Sequence, residues 1–412
     1  MRSIKELQNI RIFTKSQFIT LVVIICLIPL FEPRCFAYIP SFSILNSAYS
    51  AGKIVSGLLI ILLLFRNRTV NGFSVCIILL SLVMLISTLL NGGSAREWVS
   101  DYVSFTLVAL LVIAVARDHQ KEALRGVQIT TSILLMINFI SMLIYPDGMY
   151  AQIGASQINN YFWGHRNNTY MLAIPALVSS LLLDDMRGKK IGIFSLAIFA
   201  CSYFEILYRF SATSFLALAL FTLGFLFIQS KRVRKKLNLF TYCVAYGIAF
   251  VCIVLLRLQL YFSDFFENVL GRSATLTGRT EIWDYVFSLM QGDQFLTGYG
   301  LLSRKILELI SPEYSHAHNM LLDIWFCGGY LAIIIFLIII FLVAFKTYRC
   351  RASMQVGLIA LGIGCFFLIG ITERTSCEAL YLLLAFGYIV GQNNIGLSQE
   401  EKYMLKKHNL TS

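Results

Sequence analysis

A set of arginines and histidines carries most of the chemistry legible in this chain. Arg166, Arg209, Arg257, Arg272, Arg279, Arg304 and Arg374 stand at the edges of long apolar runs or in the one long hydrophilic stretch, 259–316. His165, His316 and His318 keep the same company. A guanidinium stays charged at any relevant pH and offers a rigid donor fork that matches phosphate. Grouped arginines therefore point to an anionic ligand. An imidazole titrates near neutrality and suits a base. The plainer reading is headgroup anchoring, or pairing with Glu281, Asp284 and Glu313.

Five segments hold the sharper signals. In LYRFSATSF, Arg209 lies between two apolar runs, followed by Ser211, Thr213 and Ser214. A charge at such a depth is a functional hypothesis by default, and the hydroxyls suit a helix start, where free N–H groups attract anions. In LTGRTEIWDYVFSLM, Gly278 and Arg279 precede a helix start at Thr280–Glu281, with Ile282, Tyr285, Val286 and Leu289 at helical spacing. This reads as an amphipathic helix lying on the membrane surface. In SHAHNMLLDIW, His318 is expected in the first turn of a helix beginning near 317, packed beside Leu321 and Leu322, with His316 in the more solvated loop end. His318 is then the candidate base, and Asn319 orients it or holds a sugar hydroxyl. GHRNNTY adds His165 and Arg166 at the mouth of another apolar run, and Tyr299 of QFLTGYG is either a sugar-facing ring or a packing anchor. HxH can be half of a metal site, but no matched Asp or Cys cluster accompanies it, so neither metal nor cofactor is expected.

The elements that must position these residues are helices in a membrane. Of 412 residues, 58% are hydrophobic and only 14% charged, far below the ~25% charged of soluble domains. That excludes a cytosolic enzyme, a disordered chain and a secreted disulfide scaffold. The ten cysteines mostly fall inside apolar runs and read as small hydrophobes, with a Cys35–Cys377 bridge left open. Apolar runs near 18–31, 48–65, 73–90, 102–116, 127–145, 168–183, 191–207, 212–229, 238–257, 327–345, 354–371 and 379–393 predict an all-α, polytopic membrane protein of about twelve spans. The first run lacks a small-residue cleavage site and reads as an uncleaved span. The net charge of +12 does not call for nucleic acid. Lys and Arg gather in alternate connections, among them KRVRKK at 231–236, which makes those connections and both termini cytoplasmic and puts 259–316 outside. The expected organisation is an N-terminal helical part, 1–160, a membrane domain, 161–393, that includes the outer loop 259–316, and a cytoplasmic tail, 394–412.

The Ser/Thr-rich helix start beside Arg209, GRTEIW (278–283), GYG (298–300) and HAHN (316–319), followed by Gly328–Gly329 and another span, resemble in order and spacing the bacterial O-antigen ligase and polysaccharide polymerase superfamily, over about 160–393. The resemblance implies a membrane glycosyltransferase at the outer face of the cytoplasmic membrane, acting by metal-independent inverting transfer. Its donor would be a glycan on a polyprenyl (undecaprenyl-type) pyrophosphate. Its acceptor would be a hydroxyl on another lipid-linked repeat unit, for an O-antigen or capsular polysaccharide polymerase, or on lipid A core, for an O-antigen ligase. By motif, Arg279 and Arg209 would bind the pyrophosphate and His318 would assist the acceptor hydroxyl. A chain-length regulator and a flippase of the same pathway would be its partners, alongside membrane lipids. The idiosyncratic N-terminal half, with FEPRCF at 31–36, favours the polymerase. A lipid-linked oligosaccharide flippase is the rival of another class, but it predicts charges within the spans and two comparable halves, and neither is visible.

Overall fold

Helix signals along the chain are local. The computed structural model describes residues 14–151, 160–262, 278–309 and 316–408. Arg272, Glu313 and the cations before residue 14 lie outside the described residues. Thr14 and Asn71 close capping boxes with Gln17 and Ser74. Ser211, Asn238 and Asn319 each accept a backbone N–H from the first turn that follows, satisfying donors that a helix start otherwise leaves open. The main helices are α1 Lys15–Leu30, α2 Ser43–Asn67, α3 Gly72–Leu90, α4 Val103–Ala116, α5 Gln120–Ile144, α6 Tyr170–Asp185, α7 Ile193–Tyr208, α8 Ala212–Ile228, α9 Leu239–Ala249, α10 Arg279–Leu289, α11 Met320–Arg349, α12 Met354–Ile369 and α13 Glu378–His408. Among the described residues there is no β-strand, only isolated bridges at Tyr150–Asn160 and Asn160–His165.

A helix covers each apolar run expected from the sequence. The stretches Lys15–Tyr38, Pro40–Asn67, Gly72–Leu90, Gln120–Ile144 and Met320–Arg349 are long and apolar enough to cross a membrane. α4, α7, α8, α12 and the run Leu239–Leu255 are apolar but shorter. Helices α4, α6, α12 and the first half of α13 are buried on nearly every face, as expected for helices apolar all round. The others surround them and turn Leu62, Phe65, Ile193, Leu216, Phe227 and Phe341 outward. Such a belt suits lipid rather than water. α3 packs on α11 and α4 on α13, so early and late helices share one core.

The two ends of the molecule differ in chemistry. Arg117 Nη1 donates to the Arg68 carbonyl at 3.3 Å, Asn393 Nδ2 to the Arg117 carbonyl at 3.5 Å, and Arg234 Nε to the Ala352 carbonyl at 2.8 Å. These bonds gather the basic connections at one end. α11 runs toward that end and α12 away from it. Residues 316–319 and 370–376 therefore meet at the other end, where Met320 N donates to the Gly370 carbonyl at 2.8 Å.

The stretch expected as a hydrophilic loop is helical over 278–309: α10, then short helices Asp293–Thr297 and Leu302–Glu308. α10 starts immediately after Gly278, whose φ is +81°. It is not a membrane-surface helix. Ile282, Trp283 and Val286 are buried against Val254, Leu322 and Phe326, so protein already covers the apolar face. GYG and Gly328–Gly329 form one joint. α11 breaks at Gly329 (φ +66°, ψ −167°), and a break opens carbonyls that need donors. Tyr299 N and Gly300 N supply them to the Phe326 and Cys327 carbonyls at 2.8 and 2.7 Å, and Ser87 Oγ donates to Cys327 at 2.7 Å. A Cβ at Gly298 or Gly329 would collide with the facing backbone. All ten cysteines are free, so there is no Cys35–Cys377 bridge.

Candidate functional site

The site assembles from the two connections that meet above α11. Asn319 caps α11: its Oδ1 accepts from Leu322 N at 3.0 Å, and its Nδ2 donates to the Ile371 carbonyl at 2.9 Å. The fully buried amide thus ties the 316–319 segment to the 371–375 turn. His318 precedes the cap rather than lying in the first turn. Its φ is +47°, a conformation that β-carbon sterics disfavour. Three contacts define it. Its backbone N donates to His316 Nδ1 at 3.2 Å, its ring sits 4.0 Å from the His316 ring, centroid to centroid, and its Nδ1 lies 3.3 Å from Glu373 Oε2. His316 is half-buried like its neighbour, not the solvated residue expected.

Glu373, which sequence reasoning passed over, is the hub. Its other oxygen, Oε1, accepts from Arg279 Nη2 at 2.5 Å. α10 delivers Arg279 from its first position, and Trp283 Nε1, donating to the Ala317 carbonyl at 3.0 Å, locks α10 against the histidine segment. Burial works to raise the Glu373 pKa. The hydrogen bond from His318 and the charge of Arg279 more than offset this and hold the carboxyl below its usual range. An ionised carboxylate only accepts, so His318 Nδ1 carries a proton, and in the neutral form of the ring the free lone pair lies on Nε2. The roles reverse at His316, where Nδ1 accepts and Nε2 carries the proton. Burial pushes the His316 pKa well below 6.5, and His318, Arg374, Arg279 and Arg304 push the same way.

A second ion pair braces the floor. Arg374 Nε meets Asp323 Oδ2 at 3.1 Å, and Asp323 Oδ1 accepts from Ala317 N at 3.3 Å. Tyr299 is engaged in packing: its hydroxyl donates to the Leu289 carbonyl at 3.1 Å and its ring meets Phe326 edge-on. His316, His318 and Glu373 bring ligand-type atoms within 4.8 Å of one another. A divalent cation there would compete with Arg279, which already donates to the same carboxylate.

Arg209 and the 165–169 segment form a separate cluster at the same end. Arg209 follows the last turn of α7, its guanidinium 5.3 Å from the centroid of the Tyr208 ring. Ser211 caps α8 as its position suggests, and both Ser211 and Ser214 hold Asn167, at 2.9 and 2.8 Å. That brings GHRNNTY beside Arg209. His165 lies within electrostatic reach of both Arg166 and Glu373, which links the two clusters. Arg257 and Arg304 are paired elsewhere, with Asp284 at 2.6 Å and Glu308 at 3.1 Å.

Residues 196–337 match the family model described as O-Antigen ligase. Over this segment, about a third of the chain, the sequence is similar to the O-antigen ligase and polymerase superfamily. The matched segment of this ligase/polymerase-type chain holds Arg209, Arg279, His316, His318 and Asn319; His165, Arg166 and Glu373 lie outside it. With the apolar helices, the match marks a membrane protein of glycosyltransferase type acting on lipid-linked glycan. No curated protein and no solved structure matches the chain.

Proposed function

We propose that the protein is a polymerase that joins polyprenyl-pyrophosphate-linked oligosaccharide repeat units at the outer face of a bacterial cytoplasmic membrane. The observation that carries this reading is the Arg279–Glu373–His318 arrangement, set against a ligase-type segment. Glu373 orients His318 as a carboxylate orients a catalytic imidazole, leaving Nε2 free to accept the proton of an acceptor hydroxyl. The acceptor oxygen bonds to the anomeric carbon as the bond from that carbon to the pyrophosphate oxygen breaks, with inversion. The departing pyrophosphate takes up negative charge, which Arg279 and Arg209 neutralise. No chemical step needs a metal. The basic end of the bundle would face the cytoplasm, twelve spans would keep both termini there, and α10 would lie outside.

The ligase reading, with lipid A core as acceptor, shares every residue and draws support from the description of the matched family. Purified protein given lipid-linked repeat unit should build a ladder of longer glycans, undiminished in EDTA. Transfer only to lipid A core would make it a ligase. A strict Mg²⁺ or Mn²⁺ requirement would overturn arginine-based neutralisation. Labelling of a cysteine at the exposed Lys305 only after permeabilisation would place the site in the wrong compartment.

A further inference from the structure

The outer arginines divide by company. Arg257, Arg279, Arg304 and Arg374 each meet a carboxylate. Arg34, Arg96, Arg166 and Arg209 meet none among the described residues; of these, Arg166 and Arg209 have an Nε atom buried without an acceptor, as Arg257 has a buried Nη1. An unsatisfied buried donor is destabilising, the more so when it is charged. Two such cations in one neighbourhood also repel each other. Both act on the Tyr161 phenol: burial raises its pKa, and Arg209 and Arg166 oppose that rise. Asp147 acts on the same phenol but pairs with neither arginine among the described residues.

The arrangement is built, not loose. Trp163 N donates to Asn138 Oδ1 at 2.7 Å and Phe162 N to Ser141 Oγ at 3.0 Å. Thr169 Oγ1 donates to Glu205 Oε1 at 2.9 Å, and Asn138 Nδ2 donates to the same oxygen. Glu205 and Asn138, fully or almost fully buried, thus pin both flanks of Arg166. Ser211 and Ser214 fasten Asn167 from the Arg209 side. The surroundings of Arg209 are exposed and apolar: Phe204, Leu207, Tyr208 and Phe210 face outward. A ligand here would place an anionic group between the guanidiniums and a hydrocarbon tail along that edge.

We infer that Arg166 and Arg209 form a two-arginine anion subsite, distinct from the Arg279 centre, that holds a phosphate of a polyprenyl-phosphate lipid entering from the membrane. The inference deepens the proposed function, since the donor named there supplies the lipid. It adds Arg166 as a phosphate-binding residue and assigns Asn138 and Glu205 to positioning it. The two phosphates of one pyrophosphate are then divided, one toward Arg279 and the sugar, the other toward Arg166 and Arg209.

The test is binding of glycan-free polyprenyl pyrophosphate to the full-length protein in nanodiscs, with polyprenyl monophosphate and phosphatidylglycerol as competitors. Arg166→Ala and Arg209→Ala should each weaken binding about 10-fold or more, with melting temperature and acceptor KM unchanged. The double variant should be little worse than either single one, because the two side chains share a ligand. Arg166→Lys should recover part of the loss, and Arg166→Gln gives the same reading should the alanine variant fold poorly. The partnered Arg304→Ala should bind as wild type. Wild-type binding by both Arg166→Ala and Arg166→Gln would overturn the inference, as would equal competition by phosphatidylglycerol, which would make this a general headgroup anchor. If the protein binds the lipid in this pattern yet transfers no glycan, the proposed function falls and the subsite stands. If it transfers glycan and Arg166 is indifferent, only the subsite falls.

Discussion

At the Arg279 centre every charge has a neighbour of opposite sign. Arg279 and His318 share Glu373, and Arg374 shares Asp323 with the Ala317 amide. At the Arg166–Arg209 edge the guanidiniums have aromatic and hydroxyl-bearing neighbours but form no ion pair among the described residues, the nearby Glu205 carboxylate being bonded to Thr169 and Asn138 instead. The first arrangement holds a base in one tautomer and keeps an arginine in reserve behind a competitor. The second leaves positive charge unanswered. A group that must move a proton needs its geometry fixed beforehand. A group that only captures an anion gains from being unpaired, because nothing need be displaced.

The largest loss should follow Arg279→Ala. It removes the neutralising fork and leaves Glu373 half-buried with one partner fewer, so glycan transfer should fall by ~10²–10³-fold or more. Arg279→Lys should recover only part, because the bidentate fork is lost. Turnover near wild type in the alanine variant would assign Arg279 to structure.

The histidines come next. Removing the Nε2 lone pair in His318→Ala should lower single-turnover transfer by ~10²-fold with donor lipid still bound. His316→Ala should cost much less, because its free nitrogen is a donor. The opposite ranking would reverse the tautomer assignment.

Glu373→Gln sharpens the contrast rather than destroying it. The amide no longer competes as a charge for Arg279, so donor affinity should rise a few-fold while turnover falls about 10-fold. Weaker donor binding would mean that the carboxylate helps build the phosphate site instead of guarding it.

Acidification should act on the same centre. The folded pKa of His316 is pushed below 6.5, so its contribution to stability is fully present above pH 6.5 and is lost as pH falls toward the folded value. Glu373, held below 4.5, adds a loss that sets in below pH 4.5. Melting temperatures in detergent should therefore decline from about pH 6.5 downward, and His316→Asn should flatten the upper part of that slope. A flat wild-type profile would contradict the burial of His316.

The smallest effect belongs to Arg304→Ala. Its pair with Glu308 is half-exposed on a short helix, and such pairs are worth ~0–1 kcal/mol. Transfer should stay within about two-fold of wild type. A large loss would add Arg304 to the site.

Much of the fold was legible because its signals are local. Apolar runs bounded by Thr14, Asn71, Ser211 and Asn238 caps mark helices wherever they pack. GRTEIW announced the start of α10, though the covering of Ile282 and Trp283 by protein needed the partner surfaces of α11 and the Phe250–Leu255 segment. His318 was found by its motif but set in the wrong conformation, because the left-handed residue and the cap at Asn319 depend on the Ile371 carbonyl. Glu373 did leave a trace, an acid between two long apolar runs. Its partners lie far away in sequence at Arg279 and His318, and spacing along a chain says nothing about such a meeting.

An all-helical, lipid-facing chain with a basic end, arginines and histidines at the opposite end, and a segment of ligase type can all be read from the order of residues alone. Composition, periodicity and capping act within a few turns, and each suffices for its own helix. Which arginines are answered by a carboxylate and which are not is set by the folded arrangement. That distinction depends on where α10 docks, on the break in α11 at Gly329, and on the turn after α12 that brings Glu373 to both partners. Charge pairing acts over a few ångströms in space, and packing between distant helices sets those distances.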